Sequence, residues 1–65
     1  MDPLVTADVA VNEALQPLIE TDRLLAIEME AGCKVTFSRG LITFYGPRVA
    51  VETAKKLAAE YYQLL

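Results

Sequence analysis

Glu28 and Glu30 stand two residues apart in the stretch "IEMEAGCKV", just ahead of Cys33 and Lys34. In an extended chain this spacing puts both carboxylates on one face. There they could divide acid and base roles or hold a weakly bound cation. Cys33 and Ser38 are the nearby nucleophile types, but each needs an activating base, and the chain contains no histidine. Lys34 is close enough to pair with one glutamate, so surface charge patterning accounts for the carboxylates better than catalysis or metal binding does. With one cysteine no disulfide can close within the chain. Without histidine or further thiolates a structural zinc site lacks ligands. "SRGLITFYGP" has no phosphate-loop spacing, and its glycines read as a turn and a helix boundary. The expectation is a noncatalytic protein with no catalytic, metal or cofactor residues.

The elements that must position these side chains are read from periodicity. Residues 2–20 are expected to form a helix, capped by Asp2 or Thr6, with Val11, Leu15 and Leu18 on one stripe; Pro17 either kinks it, the preferred reading, or ends it near Leu15 and opens a short second helix. "LLAIEMEA" alternates, with Leu25, Ile27 and Met29 on one side and Ala26, Glu28 and Glu30 on the other, and is predicted to be a strand. A loop of Glu30, Ala31 and left-handed Gly32 leads to a second strand. An Arg39-Gly40 turn leads to a third. In that register Phe37 faces Ile42 and Val35 faces Phe44, while Ser38, Thr36 and Lys34 face Leu41, Thr43 and Tyr45. The expected buried face is Leu25, Ile27, Met29, Cys33, Val35, Phe37, Ile42 and Phe44. A second helix is expected from Pro47, with Ala50, Ala54, Leu57, Ala58, Tyr61 and Leu65 inward and Glu52, Lys55, Lys56 and Glu60 outward. The fold class predicted for residues 1–65, read as a single small domain, is α+β. Its order is α-β-β-β-α: a three-stranded antiparallel meander with both helices packed on one face.

The chain has 65 residues, 54% of them hydrophobic and 23% charged, a globular rather than disordered composition. A chain this short buries only about 60% of its unfolded surface and is marginal alone, so a partner is expected. The net charge of −3 is unevenly spread. Residues 1–32 carry seven acids against Arg23, and residues 33–65 carry five bases (Lys34, Arg39, Arg48, Lys55, Lys56) against Glu52 and Glu60. The acidic balance disfavours nonspecific nucleic-acid binding. No apolar run approaches a membrane span, and the first residues lack the pattern of a signal peptide. With the lone cysteine, this leads to the expectation of a cytoplasmic location and no membrane partner.

The "VETAKKLAAE" stretch, Val51 to Glu60, resembles the last helix of the double-stranded-RNA-binding domain, with Ala54, Lys55, Ala58 and Ala59 matching by position. That family's phosphate-gripping pair would fall on Val51 and Glu52, where Glu52 has the wrong charge. "LITFYGPRVAVETAKKLA" resembles the last strand and helix of a KH domain, without its GxxG loop. "VTFSRGLITFYG" is similar to the central hairpin of a BON module. The first two resemblances imply an RNA-binding alternative that would use Lys34, Arg39, Arg48, Lys55 and Lys56. The leading expectation is a protein–protein interaction module, a homodimer or a small subunit or adaptor of a larger assembly. Its contact residues are expected to be Leu41, Thr43, Tyr45 and Tyr62, with Leu41–Tyr45 as the edge strand through which copies pair.

Overall fold

The Arg39-Gly40 turn is where the sequence reading and the structure coincide most closely. In the computed structural model, which describes residues 2–62, Arg39 has φ +54° and Gly40 φ +76°. Those are the two positive values that a two-residue turn matched to strand twist requires. The turn joins β2 (Lys34–Ser38) to β3 (Leu41–Pro47). Their register is Lys34–Tyr45, Val35–Phe44, Thr36–Thr43, Phe37–Ile42 and Ser38–Leu41, pair for pair as expected.

The remaining elements are β1 (Leu4–Ala10), a 3-10 turn (Gln16–Leu18), α1 (Thr21–Ala31) and α2 (Arg48–Tyr62). The fold is α+β, with a three-stranded antiparallel sheet and two helices packed on it. The element order, however, is β-α-β-β-α, not α-β-β-β-α, and the sheet is no meander. β1 pairs with β3, from Leu4–Pro47 to Ala10–Leu41, so the spatial order is β1-β3-β2.

Two expected elements have exchanged types. Residues 4–10 form a strand because "LVTADVA" has period two. Val5, Ala7 and Val9 are half-buried, and Leu4, Thr6, Asp8 and Ala10 are exposed. Pro17 does not kink a long helix; it sits near the start of the 3-10 turn, where its missing N–H costs nothing. Residues 21–31 form a helix because Leu24, Ile27 and Ala31 recur at helical spacing and turn inward, Leu24 and Ile27 being buried. Leu25 (50% exposed) and Met29 (79%) face solvent and leave the expected core. Gly32 is left-handed as expected, at φ +82°, but as the residue ending α1, its N–H donating to the Glu28 carbonyl.

β3 ends on Pro47, and α2 starts one residue later. Its inward stripe is Val51, Ala54, Ala58 and Tyr62. Tyr61, expected inside, is 42% exposed. Leu65 and its role in that stripe lie outside the described residues. The core is completed by Val11, Cys33, Val35, Ile42 and Phe44, with Phe37 half-buried beside it. Both helices cover the same sheet face, α1 over β2 and α2 over β1 and β3. Among the described residues no helix covers the opposite sheet face, which is bare in that sense.

Candidate interaction surface

The two-residue turn fixes which backbone groups are taken up and which are free. Ser38 and Leu41 flank it and exchange hydrogen bonds, so Thr36 with Thr43 and Lys34 with Tyr45 do the same. The N–H and C=O of Val35 and Phe37 therefore point away from β3. On the other side of β3, the alternate residues Ile42, Phe44 and Gly46 bond Val9, Ala7 and Val5. The same parity continues beyond the strand, where Val11 N–H donates to the Gly40 carbonyl (2.8 Å) and Arg48 N–H to the Pro3 carbonyl (3.1 Å). β3 is the central strand, bonded on both sides. This corrects the expectation that Leu41–Tyr45 is a pairing edge.

The two real edges differ. On β2 the outward Val35 N–H donates to Glu28 Oε1 at 2.8 Å. Glu28 thus sits on the inward side of α1 and caps a sheet edge, so the expected placing of Glu28 and Glu30 on one strand face does not hold. We predict that Glu28→Ala costs about 1 kcal/mol, the worth of one such bond. Val35 amide exchange should accelerate relative to the Phe44 amide, and Glu28→Gln, which keeps an acceptor, should largely restore it. Unchanged Val35 exchange in Glu28→Ala would refute this role.

On β1 the outward groups belong to Leu4, Thr6, Asp8 and Ala10, and β1 packs chiefly against β3 and α2. No backbone hydrogen bond reaches these groups among the described residues. β1 is thus a free edge of seven residues with no proline or lysine to guard it. Beside it lies the bare face, with Leu4 (63% exposed), Leu41 (38%) and Tyr45 (48%) among polar neighbours. Thr43 is half-buried there, its hydroxyl donating to Asp8 Oδ1 at 2.7 Å. Leu41, Thr43 and Tyr45 therefore share one accessible face across from β1.

Tyr62 does not belong to that surface. It is 6% exposed and part of the core, and its hydroxyl has no hydrogen-bond partner among the described residues. It lines a cavity of about 380 Å³ with Leu15, Leu18, Glu20, Arg23 and Tyr61. Burial pushes the Tyr62 hydroxyl above its ordinary value of 10.0, with Arg23 opposing and Glu20 adding. Burial, then Glu28, likewise pushes the Cys33 thiol above 9.0. Both folded-state values exceed the unfolded ones, so the folded chain holds these protons more tightly. The associated stability is intact below the ordinary values and lost as pH rises through the raised ones. We predict that Tyr62→Phe raises the melting temperature at neutral pH, since it removes a buried hydroxyl without a partner. It should also flatten the alkaline loss above pH 10.0, leaving the Cys33 share that begins near 9.0. A lowered melting temperature at pH 7 would contradict the orphaned hydroxyl.

The basic residues are dispersed. Lys34 lies at one end of β2 on the bare face, and Arg39 is in the turn at the other end. Arg48, Lys55 and Lys56 are on α2, in the helical layer. The groove of about 390 Å³ between α1 and β2 is lined by Leu24, Leu25, Val35 and Phe37, and its charged side chain is the anionic Glu28. Among the described residues no group of three His, Cys, Asp or Glu side chains could hold a metal ion, and no helix is long and apolar enough to cross a membrane. Comparison with protein-family models, with curated proteins and with solved structures finds no match.

Sequence reasoning missed the β1 edge because it read residues 4–10 as helix. The signal was present in Val5, Thr6 and Val9, three β-branched residues in a run of alternating character.

Proposed function

We propose that this chain is a noncatalytic protein–protein interaction module that associates through the free edge of β1, with a second copy of itself as the partner. The observation that carries this reading is the seven-residue strand whose outer N–H and C=O groups have no backbone partner among the described residues, next to a sheet face that no described helix covers. Edge strands of this kind add a strand from another chain. A domain this small also gains most from a partner that enlarges its core. The buried single thiol of Cys33 fits a reducing, cytoplasmic setting.

Size exclusion with light scattering is expected to give a dimer at high protein concentration. Thr6→Pro should convert it to monomer, because the Thr6 N–H points outward and the β1–β3 ladder does not use it. Thr6→Lys, which guards an edge without touching the backbone, should act in the same direction. A wild-type chain that stays strictly monomeric would overturn self-association.

A second reading, RNA binding, has one observation in its favour: the KH-like segment 41–58 does run from a strand into a helix. The dispersed cations, the anionic groove and the absence of glycine between residues 11 and 20 weigh against it. Salt-dependent binding to single-stranded or duplex RNA at low ionic strength would reverse that judgement.

A further inference from the structure

We infer that two copies pair their β1 strands antiparallel about Ala7, in one register, to make a continuous six-stranded sheet. This rests on the self-association just proposed and adds the geometry of the contact. Three observations lead to it.

First, the outward backbone groups fall on Leu4, Thr6, Asp8 and Ala10, so only these residues can be hydrogen-bonded across a new β1–β1 ladder. A twofold axis through Ala7 sets Leu4 opposite Ala10 and Thr6 opposite Asp8, and all seven residues of each strand are paired. Moving the axis to Thr6 or Asp8 leaves two residues of each strand outside the ladder. The axis at Asp8 also places two carboxylates directly opposite each other, which is repulsive.

Second, "LVTADVA" is self-complementary about Ala7. On the bare face, the Thr6 hydroxyl of one copy meets the Asp8 carboxylate of the other. Asp8 Oδ1 already accepts from Thr43, and its second oxygen is available for that hydroxyl. The exposed Leu4 lies over the small Ala10. On the helical face, Val5 meets Val9, and Ala7 meets Ala7 at the axis, where the strands approach closest.

Third, the inner row of β1 is unfinished. Val5, Ala7 and Val9 are only half-buried, whereas Ile42 and Phe44 beside them are 0% exposed. Pairing at this edge covers the remaining apolar surface of that row. The β2 edge offers no equivalent, because Glu28 already occupies its Val35 N–H.

Oxidative cross-linking in a Cys33→Ala background tests the register at the exposed Thr6 and Asp8 and at the half-buried Ala7, with each variant first checked for the wild-type circular dichroism spectrum. Thr6→Cys and Asp8→Cys chains, mixed and oxidised, should form mixed disulfide dimers, while each alone should cross-link at least tenfold less. Ala7→Cys should cross-link with itself. A Thr6→Cys or Asp8→Cys chain that cross-links efficiently with itself places the axis elsewhere and overturns the register, leaving association through β1 intact. A dimer by light scattering with no cross-link at 6, 7 or 8 overturns both the register and the use of this edge. A monomer overturns the underlying proposal as well.

Discussion

Gly46→Ala is expected to leave the chain largely unfolded at 25 °C. Gly46 has φ +155°, a backbone conformation that side-chain-bearing residues rarely adopt. A Cβ placed there would lie 2.8 Å from the Cys33 Cβ and 3.3 Å from its Cα. Neither atom is the tip of a flexible side chain, so relief requires backbone movement in β3 or at the α1–β2 junction. Holding a residue in a strained region costs about 1–3 kcal/mol, and forcing an extra methyl into a filled space adds about 1–3 kcal/mol. A domain of this size has roughly 3–5 kcal/mol of stability in all. Urea unfolding followed by circular dichroism, at one fixed protein concentration, measures the loss. Cys33→Ala should not rescue the variant, because alanine keeps the colliding Cβ. Cys33→Gly should recover part of the loss, and a double-mutant cycle would show coupling between the two sites. A Gly46→Ala midpoint equal to wild type would mean that the junction is loose.

The hairpin was legible because its signals are local and agree. A turn with glycine at its second position, β-branched residues on both sides and strict alternation all point to one register. The two segments before it were not decided locally. "LLAIEMEA" fits a strand through Leu25, Ile27 and Met29, and a helix through Leu24, Ile27 and Ala31. On local grounds Glu28 counts against the helix, since a helix sets its carboxylate in the inward arc. That objection dissolves only with knowledge of a neighbour, because the carboxylate accepts the outward N–H of Val35 at the edge of β2. The propensities of Leu, Ala, Glu and Met, together with Gly32 at the end, favoured the helix all along.

Residues 4–10 show the converse error. Pro3 and Asp8 look like helix-start signals, yet Val5, Thr6 and Val9 favour a strand. What completes that strand is pairing with residues far along the chain, of which the Asp8–Thr43 hydrogen bond, 35 residues apart, is the visible trace. Since one segment gained a strand and the other a helix, the α+β class survived while the topology changed. The candidate surface followed the topology. Leu41, Thr43 and Tyr45 kept their face, since face depends on parity within the hairpin. The free edge moved from β3 to β1, since edges depend on sheet order, which no local pattern encodes.

Phe44→Ala should abolish cooperative unfolding, whereas Tyr45→Ala, one residue away, should change stability by less than about 1 kcal/mol. Phe44 is 0% exposed and lies on the central strand between Ala7 and Val35. Those neighbours are small, so the ring fills the space between the sheet and α2. Removing it costs the transfer energy of the lost atoms plus that of the cavity left behind, about 3–5 kcal/mol. That is comparable to the whole stability of such a domain. Phe44→Leu, which keeps most of the volume, should lose about 1 kcal/mol and remain two-state. Tyr45 points to the bare face and is 48% exposed, so its truncation leaves no hole. Urea titrations with amide NMR spectra would check the contrast, and equal tolerance of both truncations would mean that the strand's faces are assigned the wrong way round. Concentration gives a further control. Should Phe44→Ala fold only at high protein concentration, its midpoint would rise with that concentration and fall on dilution, as mass action requires of a chain held together by its partner. Combining it with Thr6→Pro should then remove the remaining folded population, because the β1 edge would be the source of that support.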